Sequence, residues 1–331
     1  MASGERERQY FEIPDTAAGR RLDQVLAEGF PQYSRARLQT WIRQGRVRLN
    51  GAVTENVRQR VQGGEQVELD DEAVADPSTQ AWQPESIALD MVFEDADLLV
   101  VNKRAGMVVH PAAGNYQGTL VNALLAYDPS LEQLPRAGIV HRLDKDTSGL
   151  LVVARNLAAH HHLVRQLSAR RVKRVYAAVV QGTMVAGGRV DLAIGRHPVQ
   201  RKRMAVVSNG KEAVTHYQVE ERFRGHTLLR LQLETGRTHQ IRVHMAALRH
   251  PLVGDPVYGG RMRVPAGASE TLLAVLRGFR RQALHAAQLG LVHPASDDEM
   301  EWQAPLPDDM QRLLQALRKD EDDYRRQLAD T

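Results

Sequence analysis

Near the middle of the chain a carboxylate stands between two cations, in His141-Arg142-Leu143-Asp144-Lys145-Asp146-Thr147-Ser148-Gly149-Leu150-Leu151-Val152-Val153-Ala154-Arg155. Arg142 and Lys145 favour the charged form of Asp144. An ionised, positioned carboxylate can act as a nucleophile or as a general base. Gly149 and the apolar run through Val152 and Val153 read as a buried strand, so the charged residues form a loop leading into the core. For a lone loop aspartate the alternative is a structural salt bridge, and the chemical reading depends on the whole string. Two further groups carry chemistry. Tyr176 sits where the basic stretch Arg170 to Arg174 passes into an apolar strand. Arg242, in Gly236-Arg237-Thr238-His239-Gln240-Ile241-Arg242-Val243-His244, offers a guanidinium able to hold a carboxylate bidentately and fix its orientation.

Other candidates fall away. Consecutive helical residues point about 100° apart, so His160, His161 and His162 do not converge on one metal. His110 and His141 read as core or loop histidines making one hydrogen bond. The chain has no cysteine, which excludes disulfides and thiolate metal sites. No phosphate loop and no convergent ligand set appears. We therefore expect no cofactor and no metal.

The 331 residues, 43% hydrophobic, suffice for one large domain and a small one. No apolar run of roughly 18 residues and no basic-then-apolar leader occurs, so the expectation is a soluble, cytoplasmic protein without a membrane partner. The net charge of +4 permits a polyanion partner, and its distribution says more. Residues 1–17 are polar and read as a loosely held arm. From Arg20, Leu22, Val25 and Leu26 take helical spacing; a second helix starts at the N-cap candidate Ser34 with Leu38, Trp41 and Ile42 on its apolar face. Asn50-Gly51 then marks a hairpin. Residues 19–60 hold nine Arg against Asp23, Glu28 and Glu55, a balance of +6. Among them Arg20, Arg21, Arg35, Arg37, Arg43 and Arg48 are candidates for neutralising phosphates along an RNA backbone.

Residues 65–97 reverse the sign, with eleven Asp or Glu and no Lys or Arg. With Pro77, Ser78 and Pro84 inside, the middle reads as a linker. The expected organisation is an arm over 1–17, a small basic domain over 18–78, a linker over 79–86, a large domain over 87–318 and a charged tail over 319–331, the small domain reading as RNA-binding and the large one as catalytic through the family resemblance given below. In the catalytic domain we expect strands at Leu98 to Lys103, after Gly149, through Tyr176 and through Leu231. Helices are expected over Asn122 to Tyr127, Ala158 to Ser168, after Gly236, and from Met310, the last fraying beyond Lys319. Arg196-His197-Pro198 and Arg201-Lys202-Arg203 form a second basic patch.

The string H-R-L-D-x-D-T-S-G-L resembles the catalytic motif of RNA pseudouridine synthases of the RluA and RluD type. Gly236 to His244 is similar to that family's third motif and Leu98 to Pro111 to its first, with Arg104 where a proline is usual. Arg20-Arg21-Leu22-Asp23, Ser34-Arg35 and Val47-Arg48-Leu49-Asn50-Gly51 resemble an S4 RNA-binding domain. The resemblance implies an α+β chain: a small N-terminal S4-like α/β domain and a catalytic domain on a mixed, mainly antiparallel sheet flanked by helices and loops. It implies that Asp144 is the essential aspartate, that Arg142 enters the RNA helix as the base leaves, and that Tyr176 stacks on the flipped uracil. Arg242 then pairs with Asp144 and Leu252 packs under the target base; Asp255, Tyr258 and Gly259-Gly260 lend support only.

Pseudouridine formation moves the ribose C1′ bond from uracil N1 to C5 without redox change, so no cofactor is required. Asp144 would attack C1′ or serve as the base generating a glycal, and both routes stay open. The Y-S-R-x-R arrangement at 33–37, the run from Arg136 and G-D-P-V-Y-G-G at 254–260 are most similar to the RluD branch. That branch implies the helix 69 stem-loop of 23S ribosomal RNA or its large-subunit precursor as substrate; we further expect a monomer with no DNA partner. The alternatives are a non-catalytic RNA-binding or ribosome-assembly protein, which would be free to lose any of Asp144, Tyr176 and Arg242, and a sugar hydrolase, which needs a second carboxylate placed opposite Asp144.

Overall fold

The computed structural model describes residues 8–30, 33, 35–70, 82–111, 115–200 and 203–329. Ser34, Arg201, Lys202, the arm before residue 8 and the linker segment 71–81 lie outside them. Two compact units divide the chain, Met1–Gln80 and Ala81–Thr331.

In the first unit, strands β1 (Arg8–Glu12), β2 (Val47–Leu49), β3 (Ala52–Thr54) and β4 (Gln66–Asp70) form an antiparallel sheet in the order β1-β4-β2-β3. Helices α1 (Leu22–Gly29) and α2 (Arg35–Arg43) pack on it through Leu22, Leu26, Leu38 and Ile42, all buried. Asn50 and Gly51 both take positive φ, 50° and 80°, which suits the twist of a two-residue hairpin between β2 and β3. The expectation of a loose arm over residues 1–17 is corrected in part: Arg8–Glu12 pairs with β4, and Phe11 packs on the core of this unit.

The second unit is built on a nine-stranded sheet. Its strands are β5 (Met91–Glu94), β6 (Leu98–Lys103), β7 (Ser148–Ala154), β8 (Lys173–Gln181), β9 (Gly188–Asp191), β12 (Val214–Arg222), β13 (His226–Leu233), β14 (Leu284–Val292) and β15 (Glu299–Gln303). They run in the order β5-β6-β7-β14-β8-β13-β12-β9, with β15 paired to β14. The β7·β14 pair is parallel and the other pairings of this sheet are antiparallel. Strands β10 (Ile194–Arg196) and β11 (Met204–Val206) make a separate hairpin.

Both faces of the sheet are covered, which explains why β6 and β7 read as continuous apolar runs. Side chains alternate across a strand. Leu99, Val101, Leu151 and Val153 therefore enter one core with Leu120 and Leu124 of helix α3 (Leu120–Tyr127), while Leu98, Val100, Leu150 and Val152 enter another with Ala159 and Leu163 of helix α4 (Leu157–Ser168). Gly149 makes the parallel contact possible: its φ is 112°, and a Cβ there would lie 2.2 Å from the Ala286 carbonyl oxygen.

Three expectations are revised. Trp82 packs on the core of the second unit and Glu85 accepts from the Gly118 amide, so residues 82–86 belong to that unit rather than to a linker. The helix expected after Gly236 begins at Gln240, as α5 (Gln240–Ala247), because His239 takes a left-handed φ of 58° and ends a tight loop closed by Arg237 N–H on Gln240 Oε1. The tail does not fray at Lys319. After α6 (Glu270–Gly278), helix α7 runs Asp308–Ala329, docked where buried Asp320 accepts from Arg224 at 3.1 Å and the Arg224 guanidinium lies 3.8 Å over the Tyr324 ring.

Candidate active site

The loop before β7 carries Asp144, and the first turn of α5 carries Arg242. Arg242 Nη1 donates to Asp144 Oδ2 at 3.0 Å. The bidentate partner, however, is Asp255: Arg242 Nε donates to Asp255 Oδ2 at 2.7 Å and Nη2 to Oδ1 at 2.9 Å. Asp255 is itself fixed, since its Oδ1 accepts the amides of Val257 and Tyr258 at 2.8 and 2.9 Å. Burial alone would push the Asp255 carboxyl up; the Arg242 hydrogen bonds and charge hold it below its ordinary value. Burial likewise works against the Arg242 charge, and Asp255 and Asp144 together reverse that. The result is a fixed cation whose Nη1 is left to face Asp144; the Asp144 side chain stays 20% exposed while those of Arg242 and Asp255 are 6% and 0% exposed. A carboxylate held at one oxygen and open at the other is available to react.

That second oxygen, Asp144 Oδ1, lies 3.9 Å from His239 Nε2. His239 Nδ1 shares a 2.8 Å hydrogen bond with the Tyr258 hydroxyl, which also accepts from the Met204 amide. Burial lowers the His239 pKa, with Arg242 and Arg142 adding to the effect and Asp144 opposing it.

Lys103 fixes the loop from beneath. At 1% exposure it donates to the carbonyls of Arg104, Met107 and Lys145 at 2.9, 2.9 and 3.0 Å, tying the turn after β6 to the Asp144 loop. Three carbonyls match the three protons of an ammonium. Burial nonetheless brings its pKa down to about 7, against the pull of Asp146 and Asp144. Sequence reading missed Lys103 and gave Asp255 and Tyr258 only support. The signal for Lys103 was its parity: it continues the Leu99-Val101 series whose side chains enter the core.

Tyr176, on β8, is buried, and burial pushes its phenol up. It shares a core with Leu252, which is fully buried and bridges to Val180 of the same strand. Arg142 is exposed and makes no ion pair among the described residues. His141 Nε2 accepts the Val152 amide at 3.1 Å, and burial lowers its pKa to about 3, so it is a neutral structural group.

In the first unit the candidate arginines divide. Arg20 pairs with Glu28, and Arg21 and Arg35 both donate to fully buried Asp23, at 2.9 and 2.7 Å, so these three serve the fold as well as the surface. The Arg37 guanidinium lies 5.0 Å over the Trp41 ring. Arg43 and Arg48 are exposed.

The structure thus places an aspartate held at one oxygen by Arg242 near the buried Tyr176, on a mixed sheet covered on both faces, and the comparisons give the class, an RNA-modifying isomerase. The profile described as RNA pseudouridylate synthase matches residues 97–247, and that of the S4 domain matches residues 20–67. A protein of Xanthomonas campestris pv. campestris named "Ribosomal large subunit pseudouridine synthase D" is 56% identical over 308 residues, covering 93% of this chain and 92% of its own. One of that name from Pseudomonas aeruginosa is 54% identical over 95% of this chain and 97% of its own. The solved structure of human RNA pseudouridylate synthase domain containing 4 superposes with a TM-score of 0.55 at 30% identity, covering 69% of this chain and 92% of that one. The chain belongs to the RNA pseudouridylate synthase family and carries an S4 domain; it is an RNA pseudouridine synthase. No helix among the described residues is long and apolar enough to cross a membrane.

Proposed function

We propose that this chain isomerises uridines of large-subunit ribosomal RNA, with the helix 69 stem-loop of 23S RNA or its precursor as the target. It would act as a cytoplasmic monomer, with the unit Met1–Gln80 as the RNA-binding part and the unit Ala81–Thr331 as the catalytic one. The naming of relatives that match over more than nine-tenths of both chains supports the ribosomal substrate. The single observation carrying the chemistry is Asp144, held at one oxygen by Arg242 and open at the other.

In this reading the uridine leaves its stack at a cost of a few kcal/mol, least in a loop. Arg142, exposed beside the catalytic loop, fills the space left behind. The extruded base rests on Tyr176 above Leu252. Asp144 then attacks C1′, or removes a sugar proton to give the glycal, as the C1′–N1 bond breaks. After the base turns, C1′–C5 forms as the Asp144–C1′ ester bond breaks or, on the glycal route, as C2′ takes its proton back; C5 then loses its proton and N1 gains one. Because burial raises its pKa, Tyr176 takes part as a neutral phenol, a stacking surface and hydrogen-bonding group. Arg43 and Arg48 contact phosphates outside the target loop.

Mapping pseudouridines in ribosomal RNA from cells with and without this protein tests the reading. Loss of specific large-subunit pseudouridines is the expected result; an unchanged map would refute the assigned substrate.

A further inference from the structure

Beside the catalytic loop, and separate from the Asp144–Arg242–Asp255 cluster, lies a polar cleft of about 380 Å³. Val140, four residues before Asp144, forms one wall. Arg170, Arg174 and Arg237 line it with the backbone turn of Thr235 and Gly236, and Glu234 is the acidic residue of the lining. Glu234 pairs with His216 at 2.6 Å and with Arg170 of the same lining at 3.5 Å, and Arg170 also pairs with Glu212 at 2.6 Å, which leaves Arg174 and Arg237 without a carboxylate partner among the described residues. The lining therefore carries excess positive charge.

Arg174 is the informative residue. It is 8% exposed, so its guanidinium is almost wholly inside the protein. Nη2 donates to the Glu234 carbonyl at 3.2 Å, yet Nε has no acceptor among the described residues. A buried guanidinium donor without an acceptor is costly, and no carboxylate pairs with this one among the described residues. Gly236 makes room for it: a Cβ there would come 2.7 Å from Nη1. Arg237 is held at the rim by Nε on the Glu212 carbonyl at 2.9 Å, which leaves its remaining N–H groups free of that contact.

Position gives the ligand. Arg174 and Tyr176 are alternate residues of β8, so their side chains leave the same face about 7 Å apart. That is the scale separating a base from the phosphate of a neighbouring nucleotide. Guanidinium groups recognise phosphate oxygens through paired N–H donors. We propose that the cleft is an anion subsite in which Arg174 and Arg237 grip a backbone phosphodiester of the substrate RNA next to the flipped uridine, setting the register of the strand on Asp144. The proposal rests on the pseudouridine synthase reading for its ligand and on the buried guanidinium for its site.

The test compares the wild-type chain with Arg174→Gln and with the rim variant Arg237→Gln, which spares the buried position should the first fail to fold. Binding of a stem-loop RNA is titrated at several salt concentrations. A second RNA carries a neutral methylphosphonate at one linkage beside the target uridine, and orthophosphate is titrated as the free anion. Each variant is expected to bind about tenfold more weakly, with a salt slope shallower by about 0.7 to 0.9. The methylphosphonate should weaken the wild type by the same factor and each variant, which keeps one of the two arginines, by less.

Equal affinities and slopes for all three proteins would overturn the subsite. So would variants that lose orthophosphate while binding RNA as before, because the cleft would then serve a free anion. Product formation is scored in parallel: a wild type that binds with the expected slope but forms no pseudouridine removes the enzymatic reading and leaves the subsite, whereas an active wild type whose variants bind alike removes the subsite alone.

Discussion

Asp255→Asn exposes how the reacting carboxylate is held. Arg242 makes three charge-assisted contacts, two of them to Asp255 at 2.7 and 2.9 Å and one to Asp144 at 3.0 Å. Asparagine keeps the shape and one acceptor oxygen. Its amide nitrogen must then replace either Oδ2, which accepts from Arg242 Nε, or Oδ1, which accepts from Arg242 Nη2 and from the amides of Val257 and Tyr258. At least one strong contact to Arg242 is lost in either orientation, and so is the charge that balances it. Removing one partner of a buried pair costs about 3–5 kcal/mol, so the urea midpoint of the second unit should fall by a corresponding amount. The guanidinium then has only Asp144 to compensate it. It should swing toward that carboxylate, and a displacement of roughly 1 Å at a reacting group costs on the order of 100-fold in rate. The assay is release of tritium from C5 of uracil in a stem-loop RNA, run under single-turnover conditions beside a urea titration. RNA affinity should be preserved, since phosphate contacts dominate it. A variant with wild-type stability and rate would refute the argument that Asp255 positions Arg242.

Two further outcomes follow from burial and charge. His226 is fully buried with neither ring nitrogen partnered among the described residues, and burial lowers its pKa from 6.5 to about 4, with Asp320 opposing. The unfolded chain therefore takes up the proton first: stability is full above about pH 6.5 and falls as pH drops toward 4, by about 3 kcal/mol for this group. His226→Phe should remove that share, and urea unfolding at pH 7.5 and 4.5 giving the same difference for both proteins would contradict it. In the first unit, Arg43→Ala with Arg48→Ala should weaken RNA binding and reduce the salt slope by about 1 per lost phosphate contact, whereas an unchanged slope would make these arginines a merely solvated face.

What was legible in the sequence was what is local or periodic. The continuous apolar run that opens Leu98 to Lys103 gives a strand buried on both faces, and Asn50-Gly51 gives a hairpin, because hydrophobic runs and turn chemistry act over a few residues. Asp144, Tyr176 and Arg242 stand out by residue type within long motifs. Asp255 did not, because its role is a buried contact with Arg242 that only the fold creates. Lys103 was hidden for a related reason: a lysine at a strand end normally reaches solvent, and here three carbonyls from two loops enclose it. The helix expected after Gly236 started late because the loop is closed by Gln240 on Arg237 and Thr235, a tertiary arrangement. The charged end of the last helix was expected to fray, yet Arg224, distant in sequence, anchors it through Asp320 and Tyr324.

The central claim is that the oxygen of Asp144 left open by Arg242 does the chemistry. Asp144→Asn changes two atoms' chemistry and little volume, and the decisive measurement is single-turnover isomerisation of a stem-loop RNA saturated with this variant, with affinity measured on the same preparation. The account predicts no detectable pseudouridine while RNA affinity stays within about tenfold of wild type. Isomerisation at a rate near that of the wild type would contradict it.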